Sequence, residues 1–343
     1  MIINYLNRFT IIIIFTCLIS CSESDPVNEV RENDITENES VIEEGDSFNL
    51  PQTNEWVTLN PMTSYRYDAG FELYENKIYA LGGFAWSGSS ENQSGEIFDL
   101  ETGSWKFSEP LLKESEGVTS ELVDKKIYLI GGRLADSKVQ IYDIQSDSWS
   151  YGVDFPVEGM YWATSESHDN KIYIMGGYVP GSVDLPNYRR SMYIFDINEQ
   201  TWTEDSIPDD VWGSNSVKFN DIFYLWRVGT LYSYNPKNNS WSKIESGNSY
   251  IKANQEAIPY KGKIMFIGGS ESSSKDSPTT NNVTIYDPST DQWEVFSSKI
   301  KYNRHYGYGV FNRNDEVFIL GGREAGSWNG ISDLEYISNI NIE

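Results

Sequence analysis

The feature that most constrains this chain is a spacing that recurs five times. An aromatic residue is followed by Asp or Asn, and a Trp stands seven residues after the aromatic. The residues between them, such as Asp143–Ser148, are rich in turn formers. A fixed spacing across a polar turn predicts β-hairpins of locked register, since a slip of one residue turns every side chain to the other face. The five pairs are Phe98/Trp105, Tyr142/Trp149, Phe195/Trp202, Tyr234/Trp241 and Tyr286/Trp293.

A second pattern precedes each hairpin and returns once more after the last one. It is a short apolar run that ends in two glycines, and six such units follow one another at intervals of 42–53 residues. One unit, Ile222–Arg227, keeps the apolar run but has lost both glycines. Repeats of this length indicate a fold built from repeated β-sheets. The other five units are Ile78–Gly83, Ile127–Gly132, Ile172–Gly177, Ile264–Gly269 and Val317–Gly322.

Together the two patterns resemble the kelch repeat over roughly residues 54–343. The resemblance implies an all-β fold, a six-bladed kelch-type β-propeller in which the glycines and Trp residues are structural. The sixth unit ends at Asp333–Ile337 with no Trp after it, while Trp56 has no unit before it. We therefore expect residues 54–59 to supply the outer strand of the last blade, so that the N-terminal strand around Trp56 closes the ring with the C-terminal blade.

The first fifty residues predict export and anchoring. Residues 1–20 carry one Arg and an apolar run too short for an ordinary spanning helix, which is typical of a signal peptide. The run ends at Leu18–Cys21, which resembles the bacterial lipobox and implies lipidation of Cys21. Residues 22–47 hold ten acidic residues and a single basic one, Arg31, and cannot bury enough apolar surface to fold. We expect a signal peptide over 1–20, a disordered tether over 21–50, and the propeller over 51–343.

These features predict a lipid-anchored protein of the cell envelope. Ser22–Asp25 resembles, weakly, the acidic signals of lipoproteins that reach the cell surface, so we expect an outer-membrane protein that faces either the periplasm or the outside. The net charge of −25 argues against nucleic acid as a partner and against contact with anionic lipid headgroups other than through the anchor. A glycan or protein ligand is compatible with this charge, and we expect a monomer.

Metal and redox chemistry are not expected. The propeller is similar to that of galactose oxidase, whose copper site needs paired His and a Tyr joined to Cys. Here the body of the chain has two His, at positions 168 and 305, and no Cys. We therefore expect no metal and no cofactor.

The candidate ligand site lies where the inner strands start, at the propeller face that also carries the loops between second and third strands. Loops of unequal length, long at 84–94, 178–191, 270–282 and 323–332 and short at 133–138 and 228–230, predict a groove. Aromatic rings beside amide, carboxylate and guanidinium groups would suit a sugar, although ordinary packing between blades would also use such aromatics. The candidates are Arg66, Tyr67, Glu116, Tyr161, Trp162, Trp212, Asn254, Gln255, Arg304, His305 and Tyr306.

The sequence favours a non-catalytic recognition module, with catalytic residues unassigned. The alternative is a metal-independent epimerase similar to bacterial sialate mutarotase, which is also a six-unit kelch propeller. Such an enzyme needs only a general acid/base and a cation for the substrate carboxylate. Glu116 together with Arg66 or Arg304 would supply these groups.

Overall fold

The computed structural model describes residues 48–85, 93–133, 135–179, 190–207, 215–272, 274, 276–324, 326–327, 330–338 and 340. The predicted signal peptide, Cys21 and most of the tether lie outside these residues. In the described part, six four-stranded antiparallel sheets follow one another along the chain. This arrangement confirms the six-bladed propeller.

Two short strands, β1 (Val57–Leu59) and β2 (Arg66–Tyr67), precede blade 1. Blade 1 holds β3 (Gly70–Tyr74), β4 (Lys77–Leu81), β6 (Gly95–Asp99) and β7 (Ser104–Phe107), with the short β5 (Phe84–Ala85) paired to β2. Blade 2 holds β8 (Thr119–Val123), β9 (Lys126–Ile130), β10 (Gln140–Asp143) and β11 (Ser148–Tyr151). Blade 3 holds β12 (Thr164–His168), β13 (Lys171–Met175), β14 (Ser191–Asp196) and β15 (Thr201–Ser206).

The remaining blades repeat the order. Blade 4 holds β16 (Asn215–Phe219), β17 (Ile222–Arg227), β18 (Thr230–Asn235) and β19 (Ser240–Ile244). After a 3-10 turn at Asn248–Tyr250, blade 5 holds β20 (Glu256–Tyr260), β21 (Lys263–Ile267), β22 (Val283–Asp287) and β23 (Gln292–Phe296). Blade 6 holds β24 (Arg304–Arg313), β25 (Glu316–Glu324) and β26 (Leu334–Ile337), and its fourth strand is β1.

The ring closes as predicted from Trp56, which has no repeat unit before it. Strand β1 pairs antiparallel with β26, with Val57 opposite Tyr336 and Leu59 opposite Leu334. One step further along this register, Trp56 falls opposite Ile337, and both belong to the same apolar cluster between blades 5 and 6. Trp56 therefore occupies the place that a Trp takes in the other outer strands. Pairing across the chain ends leaves the inner three strands of blade 6 no free edge on that side.

The five aromatic–Trp pairs lie directly opposite one another in the register of the third and fourth strands. Their ring centroids are 4.6–5.0 Å apart, which is contact distance for aromatic rings. The predicted hairpin register is thus confirmed. Each pair contributes to an apolar cluster shared by two neighbouring blades, and these clusters form the core.

The glycine pairs hold the starts of the inner strands close to the second strands. Gly83 has a φ of +82°, and a Cβ placed there would lie 2.6 Å from the Cβ of Ala69. Only glycine fits this position without displacing backbone. In blade 4, Trp226 lies opposite Asn215, the first residue of the inner strand, as Leu81 lies opposite Gly70 in blade 1; its side chain is 1% exposed and packs edge-on against Phe266 at 4.9 Å.

The antiparallel order gives the propeller two distinct faces. The starts of the inner strands and the glycine pairs lie at one face, which we call the mouth face. The turns between third and fourth strands lie at the opposite face. Phe48, the first described residue, packs at that opposite face, within reach of Gly103 and 6.4 Å from the ring of Phe98. In the part of the chain that the structure describes, no helix is long and apolar enough to cross a bilayer.

Candidate ligand-binding mouth

The mouth is built on a set of residues with left-handed backbone. Each stands two residues before the inner strand of its blade or at the corresponding place in blade 6, and each has a φ between 50° and 68°. Non-glycine residues adopt this conformation rarely, and it is concentrated at functional sites because the surrounding structure must hold it. The residues are Asp68, Gly117, Trp162, Asn254 and Tyr306, while the predicted candidate Trp212 lies outside the described residues.

Backbone hydrogen bonds join the starts of the inner strands of four successive blades, from blade 6 through blades 1 and 2 to blade 3. The amide of Asp68 donates to Gly307 O at 3.0 Å, which links blade 1 to blade 6. The amide of Gly117 donates to Asp68 O at 2.8 Å, and the amide of Trp162 donates to Gly117 O at 3.0 Å. The side chains at the mouth are therefore positioned by main-chain contacts that run from blade to blade.

Trp162 lies across the mouth and contacts two blades other than its own. Its indole Nε1 donates to Asp68 Oδ2 at 3.1 Å, and its ring centroid is 6.1 Å from that of Tyr306. Burial raises the pKa of Asp68 to about 6, although the hydrogen bond from Trp162 and the charge of Arg323 act in the opposite direction. The sequence reasoning named Trp162 and Tyr306 but missed Asp68.

A buried guanidinium stands behind the aromatic rings. Arg323 is 3% exposed, and its guanidinium carbon lies 4.5 Å from the ring centroid of Tyr306 and 5.8 Å from that of Tyr67. Tyr67 in turn stacks on Phe84 at 5.0 Å, and burial raises the pKa of its phenol to about 12. Arg323 thus fixes two of the predicted aromatic candidates and places positive charge at the mouth.

Asn254 and His305 form a neutral polar pair on the blade 5 side. Asn254 Nδ2 lies 3.1 Å from His305 Nε2 and 3.3 Å from Ser270 Oγ. His305 is fully buried, and burial, aided by the charge of Arg323, lowers its pKa to about 4. The imidazole is therefore neutral at physiological pH, and the pair offers hydrogen bonds without charge.

The blade 2 side of the mouth carries the only predicted carboxylate candidate, Glu116. It forms an ion pair with Arg133, whose side chain is 52% exposed, and its pKa is raised mainly by burial. The ring of Tyr161 packs edge-on against Trp162 at 4.6 Å and against Tyr178 at 5.4 Å. The described residues thus bring Tyr161, Trp162 and Glu116 to the same side of the channel.

Three other candidates lie inside the blades, behind the mouth. Arg66 is fully buried and pairs with Glu96 at 3.0 Å. Arg304 is fully buried and pairs with Glu335 at 2.5 Å. Gln255 is 2% exposed; it accepts from the amide of Lys252 at 3.0 Å and donates to Tyr250 O at 3.3 Å. These side chains are buried and contact other residues of the blades, so they are not part of the ligand surface proposed below.

Beneath the mouth the inner strands enclose a channel of about 520 Å³. Its wall carries a glutamate at one register position in three successive blades, and a lysine one residue beyond that position in blade 4: Glu72, Glu121, Glu166 and Lys218. Sequence reasoning missed this row, although each Glu stands ten residues before the first glycine of its unit. Glu256 of blade 5 also lines the channel, and burial raises its pKa to about 8.

Comparison with known proteins agrees with this architecture. The KLHDC2/KLHL20/DRC7 Kelch-repeats domain matches residues 117–322, which is more than half of the chain. The chain belongs to the kelch-repeat family. The Kelch motif matches a further unit at residues 65–111.

This kelch protein is similar to proteins of different kinds. Kelch-like protein 23 from Homo sapiens is 24% identical over 264 residues, 71% of this chain and 43% of that protein. Galactose oxidase from Gibberella zeae is 25% identical over 231 residues, 59% of this chain and 33% of that enzyme. The chain thus spans less than half the length of these curated relatives.

A solved structure shares the fold. The structure titled "Structure of YjhT" superposes with a TM-score of 0.65 at 16% identity and covers 80% of this chain and 95% of its own. As for a copper centre of the galactose oxidase kind, the residues present do not fit one. Among the described residues no group of three or more His, Cys, Asp or Glu is placed to hold a metal ion.

Proposed function

We propose that this kelch propeller is a recognition module that binds a carbohydrate at the mouth without converting it. The observation that carries the proposal is the set of Trp162, Tyr306, Asp68 and Asn254 around one opening. Aromatic faces accept the C–H face of a pyranose, while a carboxylate and an amide bind its hydroxyl groups. All four residues are partly exposed, so they are accessible to a ligand from the mouth face.

A thermal-shift panel of free sugars, sialic acid included, tests the proposal. Ligand binding to the folded state raises the melting temperature, and a concentration of about 100 times Kd contributes roughly 2.7 kcal/mol. W162A should abolish the shift, whereas Y151A, which removes an aromatic that is 49% exposed on an outer strand, should leave it unchanged. If no sugar shifts the melting temperature, the carbohydrate proposal fails and a protein ligand takes its place.

We also propose that the propeller is held at a membrane through lipidated Cys21 and the acidic segment after it. Within the described residues, the chain first contacts the propeller at Phe48, which packs at the face opposite the mouth. Incorporation of labelled fatty acid in the native protein, absent in C21S, is the expected result; equal labelling of both would overturn the proposal.

A second candidate is a metal-independent sugar epimerase or mutarotase. The observation that favours it is Asp68, a carboxyl at the mouth whose pKa is raised to about 6 beside the guanidinium of Arg323. A carboxyl near this pKa can exchange protons at neutral pH, and a guanidinium can bind an acidic sugar. NMR anomer exchange with N-acetylneuraminate distinguishes the two functions. Catalysis predicts faster exchange that D68N or E116Q slows, and an unchanged rate leaves binding alone.

A further inference from the structure

We propose that the Glu row of the channel wall, Glu72, Glu121 and Glu166, is a pH-responsive element that holds blades 1 to 4 together when its carboxyls are protonated. The three residues occupy the same register position on β3, β8 and β12. The equivalent residue on β16 is the apolar Val217, opposite Tyr224, and the residue after it, Lys218, places a cation beside the row.

Each carboxyl of the Glu row reaches a hydroxyl of the next blade. Glu72 bonds to Ser120, Glu121 bonds to Ser165 and Ser167, and Glu166 bonds to Ser216. Hydroxyl and backbone contacts continue the same wall: Ser165 Oγ donates to Ser120 O at 3.2 Å, and Ser216 Oγ donates to Ser165 O at 3.2 Å. The inner edges of blades 1 to 4 are therefore joined by polar contacts. At the same position, blades 5 and 6 carry the apolar Ile258 and Phe311.

The charges facing the Glu row do not balance it. The carboxyls face one another, because Glu121 acts on Glu72 and both act on Glu166. Lys218 acts on Glu121 and Glu166 and donates to Ser167 O at 2.6 Å. On the second strands, the residues opposite the three carboxyls are phenols that stay neutral in this range, namely Tyr79, Tyr128 and Tyr173.

Protonation relieves the repulsion between the carboxyls, whereas the serine hydroxyls, which donate to the carboxylates, act in the opposite direction. Burial, followed by repulsion between neighbouring carboxylates, raises the pKa of Glu72 and Glu166, and burial raises that of Glu121. A carboxyl whose pKa is higher in the folded than in the unfolded state stabilises fully below its unfolded pKa of about 4.3. That contribution is lost as pH rises through the folded pKa. Burial also raises the pKa values of Asp68 and Glu256, which lie outside the row. The stability that these two carboxyls contribute is therefore also lost as the pH rises.

Thermal unfolding of the full chain at pH 5.5 and 8.5 tests the proposal. We expect the melting temperature to fall by about 5 °C over this range. The variant E72Q/E121Q/E166Q should lose at least half of this fall, since Gln keeps the hydroxyl bonds but cannot ionise. E294Q, on an exposed position of β23, is the matched control and should keep the whole fall. An equal fall in the triple variant and the native chain would overturn the proposal.

A second measurement covers the case in which the triple variant does not fold. Carbon-detected NMR of the native chain labelled at the Glu carboxyl carbons reports each titration directly. At least two Glu carboxyls should titrate above pH 6, and E121Q alone should remove one and lower the midpoint of a neighbour. If every Glu carboxyl titrates below pH 5.5, the proposal is wrong.

Discussion

Removing Glu335 should destabilise this propeller severely, because it leaves Arg304 buried without its counter-charge. Both side chains are essentially inaccessible, at 0% and 1% exposure. Arg304 donates to Glu335 Oε1 through Nε at 3.1 Å and through Nη2 at 2.5 Å, and to the carbonyl of Gly321. The other carboxylate oxygen of Glu335 accepts the amide of Lys301 at 2.6 Å.

The expected size follows from this geometry. Breaking a buried ion pair by removing one partner costs about 3–5 kcal/mol, because the remaining charge has lost both water and partner. E335A should therefore lie in this range, and R304M should be similar. The double variant R304M/E335L should be less destabilised than the sum of the single changes, since a buried pair replaced by apolar residues of similar volume is often close to neutral.

Urea unfolding followed by Trp fluorescence measures these free energies. E245A is the matched control, since Lys243 and Glu245 form an exposed pair at 3.7 Å whose loss should change stability by less than about 0.5 kcal/mol. If E335A costs less than about 1 kcal/mol, Arg304 is not held as the structure shows. The structural role of Arg304 would then be refuted, and Arg304 would again be a candidate for contact with the ligand.

Three further changes test the ring, the mouth and the glycine pairs. W56A should lower stability by about 3–5 kcal/mol because it empties the contact that closes blade 6; a loss below about 1 kcal/mol in urea unfolding would contradict the closure. His305 should titrate near pH 4 in NMR spectra assigned with H305Q, and its stabilising contribution should be present above pH about 6.5 and decline as pH falls towards 4. G83A should destabilise more than G159A, because both glycines have positive φ but only the Cβ at position 83 meets another atom, at 2.6 Å; equal losses would mean that close packing is unimportant there.

The architecture could be predicted because it rests on spacings that are strictly local. The seven-residue interval from Tyr142 to Trp149 records a hairpin, and that hairpin is present with the two residues opposite one another. Trp56 was informative because it is distant in sequence from the blade it completes. It has no repeat unit before it, and the sixth unit has no Trp after it, so the two were expected to belong to one blade. Neither inference needed further information about side-chain directions, because successive side chains of a strand point to opposite faces.

The candidate site was harder to predict because the course of the backbone at the mouth depends on single residues with a left-handed conformation. Arg66 lies in β2 and enters the blade to meet Glu96. Asp68, two residues later and with a positive φ, faces Trp162. Asp is among the residues that adopt positive φ most readily, but nothing in the spacing shows that it does so here. Arg323 follows a glycine pair, and its neighbours Tyr67 and Tyr306 come from distant parts of the chain.

The mouth depends on the closure of the ring, because its side chains come from blades on both sides of the closure. Trp162, Asp68 and Tyr306 belong to blades 3, 1 and 6, and the last two are joined by the hydrogen bond from Asp68 N to Gly307 O. Blade 6 is complete only when β1 pairs with β26. A ligand that contacts all three side chains therefore binds the closed ring and not an opened one. By linkage, such a ligand stabilises the closure, and a variant that weakens the closure, such as W56A, weakens binding without touching the mouth.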